Sequence, residues 1–199
     1  MVGESYAVRA SGKPSVTTLA NFIAFQFGWI ACVLGAARGM PWAGVAVALG
    51  VAAWHLWRAR RPLEELKLIL IAAATGFIFD GALVAIGWIE YPNGALIAGT
   101  APVWIVAMWV VFATTLNVSL AWLKRSVPLA VLFGAVGGPL AYTAGAKLGG
   151  LVFLQRTPAL IALAAGWAVI TPLLLRIADR YDGWRIASTA AANPGAPHA

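Results

Sequence analysis

The sequence predicts an all-α fold: a polytopic membrane protein built as a compact bundle of about six transmembrane helices with short loops. Three observations predict it. The 199 residues are 61% hydrophobic and only 11% charged, whereas soluble domains carry about 25% charged residues. Several apolar runs reach the length of about 18 residues that a bilayer core demands. The basic residues gather at the ends of those runs, which is the pattern of membrane topology rather than of a nucleic-acid face. The net charge of +7 therefore does not argue for a nucleic-acid partner.

Taken in order, residues 1–18 read as a disordered cytoplasmic tail, with Arg9, Gly12, Lys13 and Pro14. The first span is Leu19 to Ala37. It is too long for the core of a signal peptide and continues past Cys32, so neither cleavage nor lipidation is expected there. Pro41 opens a second helix, a favoured position for proline. That helix ends at Trp57 before Arg58, Arg60, Arg61 and the break at Pro62. Glu64 and Glu65 open the third, where carboxylates suit the positive helix end, and it runs to about Ile89. Pro92, Asn93 and Gly94 mark a turn.

The fourth span follows Pro102 and is expected to reach Leu123, ahead of Lys124 and Arg125. The fifth covers Val127 to Lys147, with Gly137, Gly138 and Pro139 in its middle. The sixth begins at Pro158 and ends at Ile177. Residues 19–178 thus form the six-span domain, and residues 179–199 a low-complexity cytoplasmic tail. Six spans put both termini on one side with eleven of the 14 basic residues, leaving Arg38, Lys147 and Arg156 opposite. By the positive-inside rule both termini are cytoplasmic. A rival with five spans, in which a kinked fifth run fails to cross, would place the basic C-terminal segment outside.

Within this frame one residue is out of place. Of seven acidic residues, six fall in polar ends or connections, and Asp80 alone lies deep in an apolar run, Leu66 to Trp88. A charge at bilayer depth costs about 2.5–3.5 kcal/mol on insertion scales and must be sheltered by its neighbours. Counting along the helices places Asp80, Tyr142, Lys147 and Arg38 in the outer half of the membrane. Such a cluster is expected to act either as a proton-handling or anchoring site, or as a structural tie between helices. A second polar layer in the inner half comprises Asn21, Gln26, Thr114 and Asn117, with Thr115 and Ser119. It reads chiefly as interhelical glue, and His55, near three arginines, as an interfacial residue.

Small residues recur every fourth position in the fifth helix, at Gly134 and Gly138 and at Gly137, Ala141, Gly145 and Gly149. That spacing clears a groove for close helix approach. Pro139 cannot donate to the carbonyl of Ala135, so a kink or break is expected there: more often a simple packing kink, otherwise a broken helix of the kind that lines cavities in transporters. Trp42, Trp57, Trp88, Trp104, Trp122 and Trp184 read as interfacial belt residues, and Trp29, Trp109 and Trp167 as core. No catalytic residues are assigned: hydrolase, kinase and dinucleotide fingerprints are absent. One cysteine and two histidines supply no ligand set for a metal centre, and no cofactor is expected.

The pieces NFIAFQFGWIACVLGAA (Asn21 to Ala37), FATTLNVSLAW (Phe112 to Trp122) and GGPLAYTAGAKLG (Gly137 to Gly149) together resemble DUF2878. The likeness covers about residues 20 to 178. DUF2878 is a family of bacterial multi-pass inner-membrane proteins with no established biochemical role. The resemblance implies a bacterial inner-membrane location and carries over no functional residues. Genes of the family tend to stand beside enzymes of lipid modification and of light or oxidative stress, which implies a link to such a pathway. The expectation is therefore an integral membrane protein acting as a non-enzymatic accessory or partner component. Its partners are the lipid bilayer and either another membrane protein or a second copy of itself. Two alternatives stand beside it: a small permease using Asp80 and the fifth helix, and an intramembrane lipid-modifying enzyme.

Overall fold

A computed structural model describes residues 15–185. Ser15 caps α1 (Val16–Ala37), its hydroxyl accepting from the Thr18 N–H at 3.1 Å. Prolines at the first turn open α2 (Pro41–Arg58) and α3 (Pro62–Ala85). A two-residue strand, β1 (Ile89–Glu90), leads through a turn to α4 (Val103–Leu116). A 3-10 segment (Ala121–Arg125) joins it to α5 (Val127–Lys147), and β2 (Val152–Phe153) precedes α6 (Arg156–Arg180). The two strands pair antiparallel, Ile89 opposite Phe153. Among the described residues four helices, α1, α3, α5 and α6, are long and apolar enough to cross a membrane. Large apolar side chains such as Phe27, Leu70, Ile78, Leu140 and Val169 point outward on all four, a surface that suits lipid rather than water.

Hydrogen bonds at the two ends show that the helices alternate in direction. At one end, which is rich in arginine, the α2–α3 connection meets the end of α6: the N–H groups of Arg60 and Arg61 donate to the Gly183 carbonyl. Lys124 joins the same end through Asp179 and Asp182. At the other end Asn93 donates to the Ala36 carbonyl, and the Trp104 indole N–H donates to the Asn93 carbonyl. Gly94 makes that turn with φ +89°, and a Cβ there would stand 2.8 Å from Trp104. Packing divides the helices into two groups. In one group α1 and α2 pack on each other and on α4, and α3 packs chiefly on α4; in the other α5 packs chiefly on α6, and a seam runs between the groups.

The structure departs from the sequence reading in four places. α4 stops at Leu116, seven residues early. Thr114 and Thr115 turn their hydroxyls onto the carbonyls of Val111 and Phe112, and Asn117 and Ser119 spend their side chains on tertiary partners, so the last turns tighten and the helix ends. α5 continues through Pro139 rather than breaking; a membrane helix tolerates one lost backbone bond where neighbours support it. α6 extends to Arg180, and residues 181–185 fold onto the bundle instead of trailing away. Trp104, expected in the interfacial belt, is fully buried beneath the Asn93 turn. The remaining parts of both expected tails, residues 1–14 and 186–199, lie outside the described residues.

Candidate functional site

Asp80 sits on the face of α3 that meets α4. One turn earlier, Gly76 lets the Trp109 indole lie directly on the helix backbone, where any Cβ would overlap the ring. Residues four apart share a face, so the indole N–H reaches Asp80 Oδ2 at 2.7 Å. Two phenols complete the shell: Tyr91 and Tyr142 donate to Asp80 Oδ1 at 2.7 and 2.6 Å. The carboxylate is fully buried. Three neutral donors thus stand where the sequence reading placed a cation. Hydrogen bonds to a charged acceptor contribute about 1.5–3 kcal/mol, enough to offset the cost of the site without a counter-ion.

Of the four residues expected together, the structure joins Asp80 and Tyr142. Arg38 and Lys147 are exposed, and among the described residues neither pairs with Asp80. Both lie at helix C-terminal ends, from which a long side chain reaches hydrated surroundings at little cost. Tyr91 and Trp109 escaped the sequence reading. Their signal was present: a buried Tyr or Trp needs a partner for its polar tip, and Asp80 was the acceptor in want of donors. Tyr91 lies in the connection outside the helices, where burial first, and then the neighbouring Asp80 charge, push its phenol well above the ordinary value. It therefore remains a donor.

Trp109 and Tyr142 also face a cavity of about 230 Å³ along the seam. It is bounded by Phe22 to Val33 on α1, Trp104 to Thr115 on α4 and Gly134 to Gly145 on α5. Each stretch spans eleven residues of rise, so the cavity is a slot about 16 Å long, parallel to the helices. Among the described residues no charged side chain lines it. It reaches the surface at Phe22 and Phe133, both of which are exposed. The small residues of α5 divide by face. Gly134 and Gly138 press on Trp167 of α6, while Gly137 has open space beside it and leaves the slot its width. For scale, an engineered apolar cavity of about 150 Å³ stays dry and takes up benzene.

A second buried carboxylate, at the arginine-rich end, was not anticipated. Glu65 and His55 are both fully buried, with Glu65 Oε2 2.8 Å from His55 Nε2. Glu65 Oε1 accepts from Asn117 Nδ2 and from the Gly183 N–H, both at 2.7 Å. Residues 181–185 cover the pair, with the Trp184 ring 5.3 Å from the imidazole, so His55 is interior rather than interfacial. The expected inner layer is correspondingly divided. Asn21 donates to the Thr114 carbonyl and accepts from the Ser119 hydroxyl. Asn117 belongs to the Glu65 network, and Gln26 is exposed, apart from both.

Against known proteins, one family model matches residues 18–173; its description is "Protein of unknown function (DUF2878)". No curated protein and no solved structure matches the chain.

Proposed function

The chain belongs to the DUF2878 family, and from that footing we propose that it is a multi-pass membrane protein that holds a single hydrocarbon chain of a membrane lipid in its slot. The observation that carries this reading is the slot itself. It is long and narrow, free of charge along its walls, and open at the surface that lipid would bathe. Its length of about 16 Å is half of a bilayer's hydrocarbon core, which suits one extended chain. Its volume is small beside the 300–1,000 Å³ or so of sites for bulkier ligands.

On this proposal the protein is a binding component, accessory to a lipid-handling process, rather than an enzyme. The proposal places it in a bacterial inner membrane with all six helices crossing. Of the two shorter ones, α4 crosses as the interior helix of the bundle and α2 at its edge, and both termini are cytoplasmic. The clustering of basic residues at one end supports that orientation. The permease and enzyme readings need Asp80 to meet a solute or substrate. Tyr142 and Trp109 stand between Asp80 and the slot and occupy both its oxygens, so the geometry favours these readings less.

The test uses purified protein in nanodiscs containing a small fraction of lipid with a brominated acyl chain. Tryptophan quenching is expected to saturate at low brominated fraction, because Trp29, Trp104, Trp109 and Trp167 line the slot. Gly137→Phe fills the slot from a position with room for a side chain and is expected to leave only the linear quenching of bulk lipid. Identical curves for the two proteins would overturn the proposal.

A further inference from the structure

We infer that the slot selects a straight, unsaturated chain, of the conjugated or polyene class, over a saturated one; this rests on the reading that the slot holds a hydrocarbon chain. Three features of the walls point there. Nine of the 21 lining residues are aromatic, far more than is needed to exclude water. Three of those rings hold one another in place before anything binds. Trp109 and Trp167 stack at 4.6 Å and 15°, and Phe112 meets both edge-on, at 83° and 84°. Trp109 is further pinned to Asp80 through its N–H. The facing wall is low where α5 presents Gly137, Ala141 and Gly145, with Phe133 and Tyr142 of the same helix beside them. A rigid aromatic wall opposite a glycine-rich one leaves a ribbon-shaped space.

Two physical effects favour an unsaturated occupant. A π-system gains from offset or edge contacts with fixed aromatic rings beyond the area it buries. A conjugated chain is also already extended, whereas a saturated chain must surrender the freedom of each of its torsions to enter a straight slot. The same straightness discriminates between isomers. An all-trans chain fits along the 16 Å or so of parallel helix, and a chain bent by cis bonds collides with one wall or the other. The absence of charged groups from the lining among the described residues places any charged or strongly polar head outside, so the specificity is for the chain.

The experiment uses the full-length protein in detergent micelles and the methyl ester of trans-parinaric acid, a straight conjugated tetraene that accepts energy from tryptophan. The methyl ester of cis-parinaric acid, which is bent and is itself an acceptor, is titrated separately, and methyl stearate, of equal length but saturated and silent in this spectrum, is the competitor. Saturable energy transfer is expected for the trans ester. The cis ester should half-saturate at a concentration at least tenfold higher, and methyl stearate should displace bound trans ester with an inhibition constant at least tenfold above the trans ester's half-saturating concentration. Equal half-saturation by the cis ester, or an inhibition constant for methyl stearate equal to that concentration, would overturn the inference while leaving the chain-binding reading in place. Transfer that never saturates in the wild-type protein, or that is unchanged in Gly137→Phe, would overturn both. The competition arms use unaltered protein, so the selectivity result does not depend on any variant folding.

Discussion

Asp80 ties three segments at one point: α4 through Trp109, α5 through Tyr142, and the connection through Tyr91. Replacing it leaves buried donors unpaired, which costs more than the bonds themselves contribute. Asp80→Asn retains a single acceptor oxygen and sets an amide against a donor. It is expected to lower unfolding stability in detergent by about 1.5–3 kcal/mol, and Tyr142→Phe by about 1–1.5 kcal/mol. Unchanged melting of Asp80→Asn would count against a tethering role. Tyr91 gives a pH signature. Its folded-state phenol lies above its unfolded value, so the unfolded state releases the proton first. The stabilisation is complete below the ordinary phenol value of about 10 and is lost as pH rises beyond it. Tyr91→Phe should flatten that alkaline limb in melting curves; superimposable limbs would contradict the burial.

At the scale of elements, α3 organises the bundle because the two carboxylates with no exposure belong to it, Glu65 at one end and Asp80 toward the other. Each reaches α4, through Asn117 and Trp109 respectively. The close α3–α4 approach depends on Gly76. Alanine there gains up to about 1 kcal/mol in helix propensity but forces Trp109 away from both Asp80 and Trp167. Overpacking of that kind costs about 1–3 kcal/mol, and the lost hydrogen bond adds to it. Gly76→Ala is therefore expected to destabilise the protein and to blue- or red-shift tryptophan emission as the stacked pair separates. A variant as stable as wild type, with unaltered emission, would show the contact to be soft. α5 behaves differently: its glycines serve two faces, one pressed on α6 and one left open to the slot.

At the scale of the molecule, the seam between the α1–α4 group and the α5–α6 pair decides where a ligand can enter. It is closed by Asp80–Tyr142, by the Trp109–Trp167 stack and by the Lys124 contacts, and it is open along the slot between these. With an odd number of crossings the chain ends would lie on opposite faces; with six they share one. Cysteine introduced at residue 2 and at residue 198 is expected to be shielded from impermeant maleimide in intact cells and labelled after lysis. Labelling of either in intact cells would refute the proposed orientation.

The sequence by itself determined the all-α class, the helical elements to within a few residues except the end of α4, and the presence of a sheltered carboxylate at Asp80. These follow from local chemistry: an apolar run long enough to cross, a proline or serine at a helix start, a carboxylate where charge is costly. Tyr142 was legible too, because depth along parallel helices can be counted. Tyr91 was not, since a tyrosine in a turn carries no sign of the direction it faces. Glu65 looked ordinary at a helix start, where a hydrated carboxylate is usual; only the folding of residues 181–185 over it made it interior. The slot belongs to no stretch of sequence at all. It exists because α5 pairs with α6 and stands off from α1 over the face of α4, and a cavity is a property of how three helices are spaced, which only tertiary packing decides.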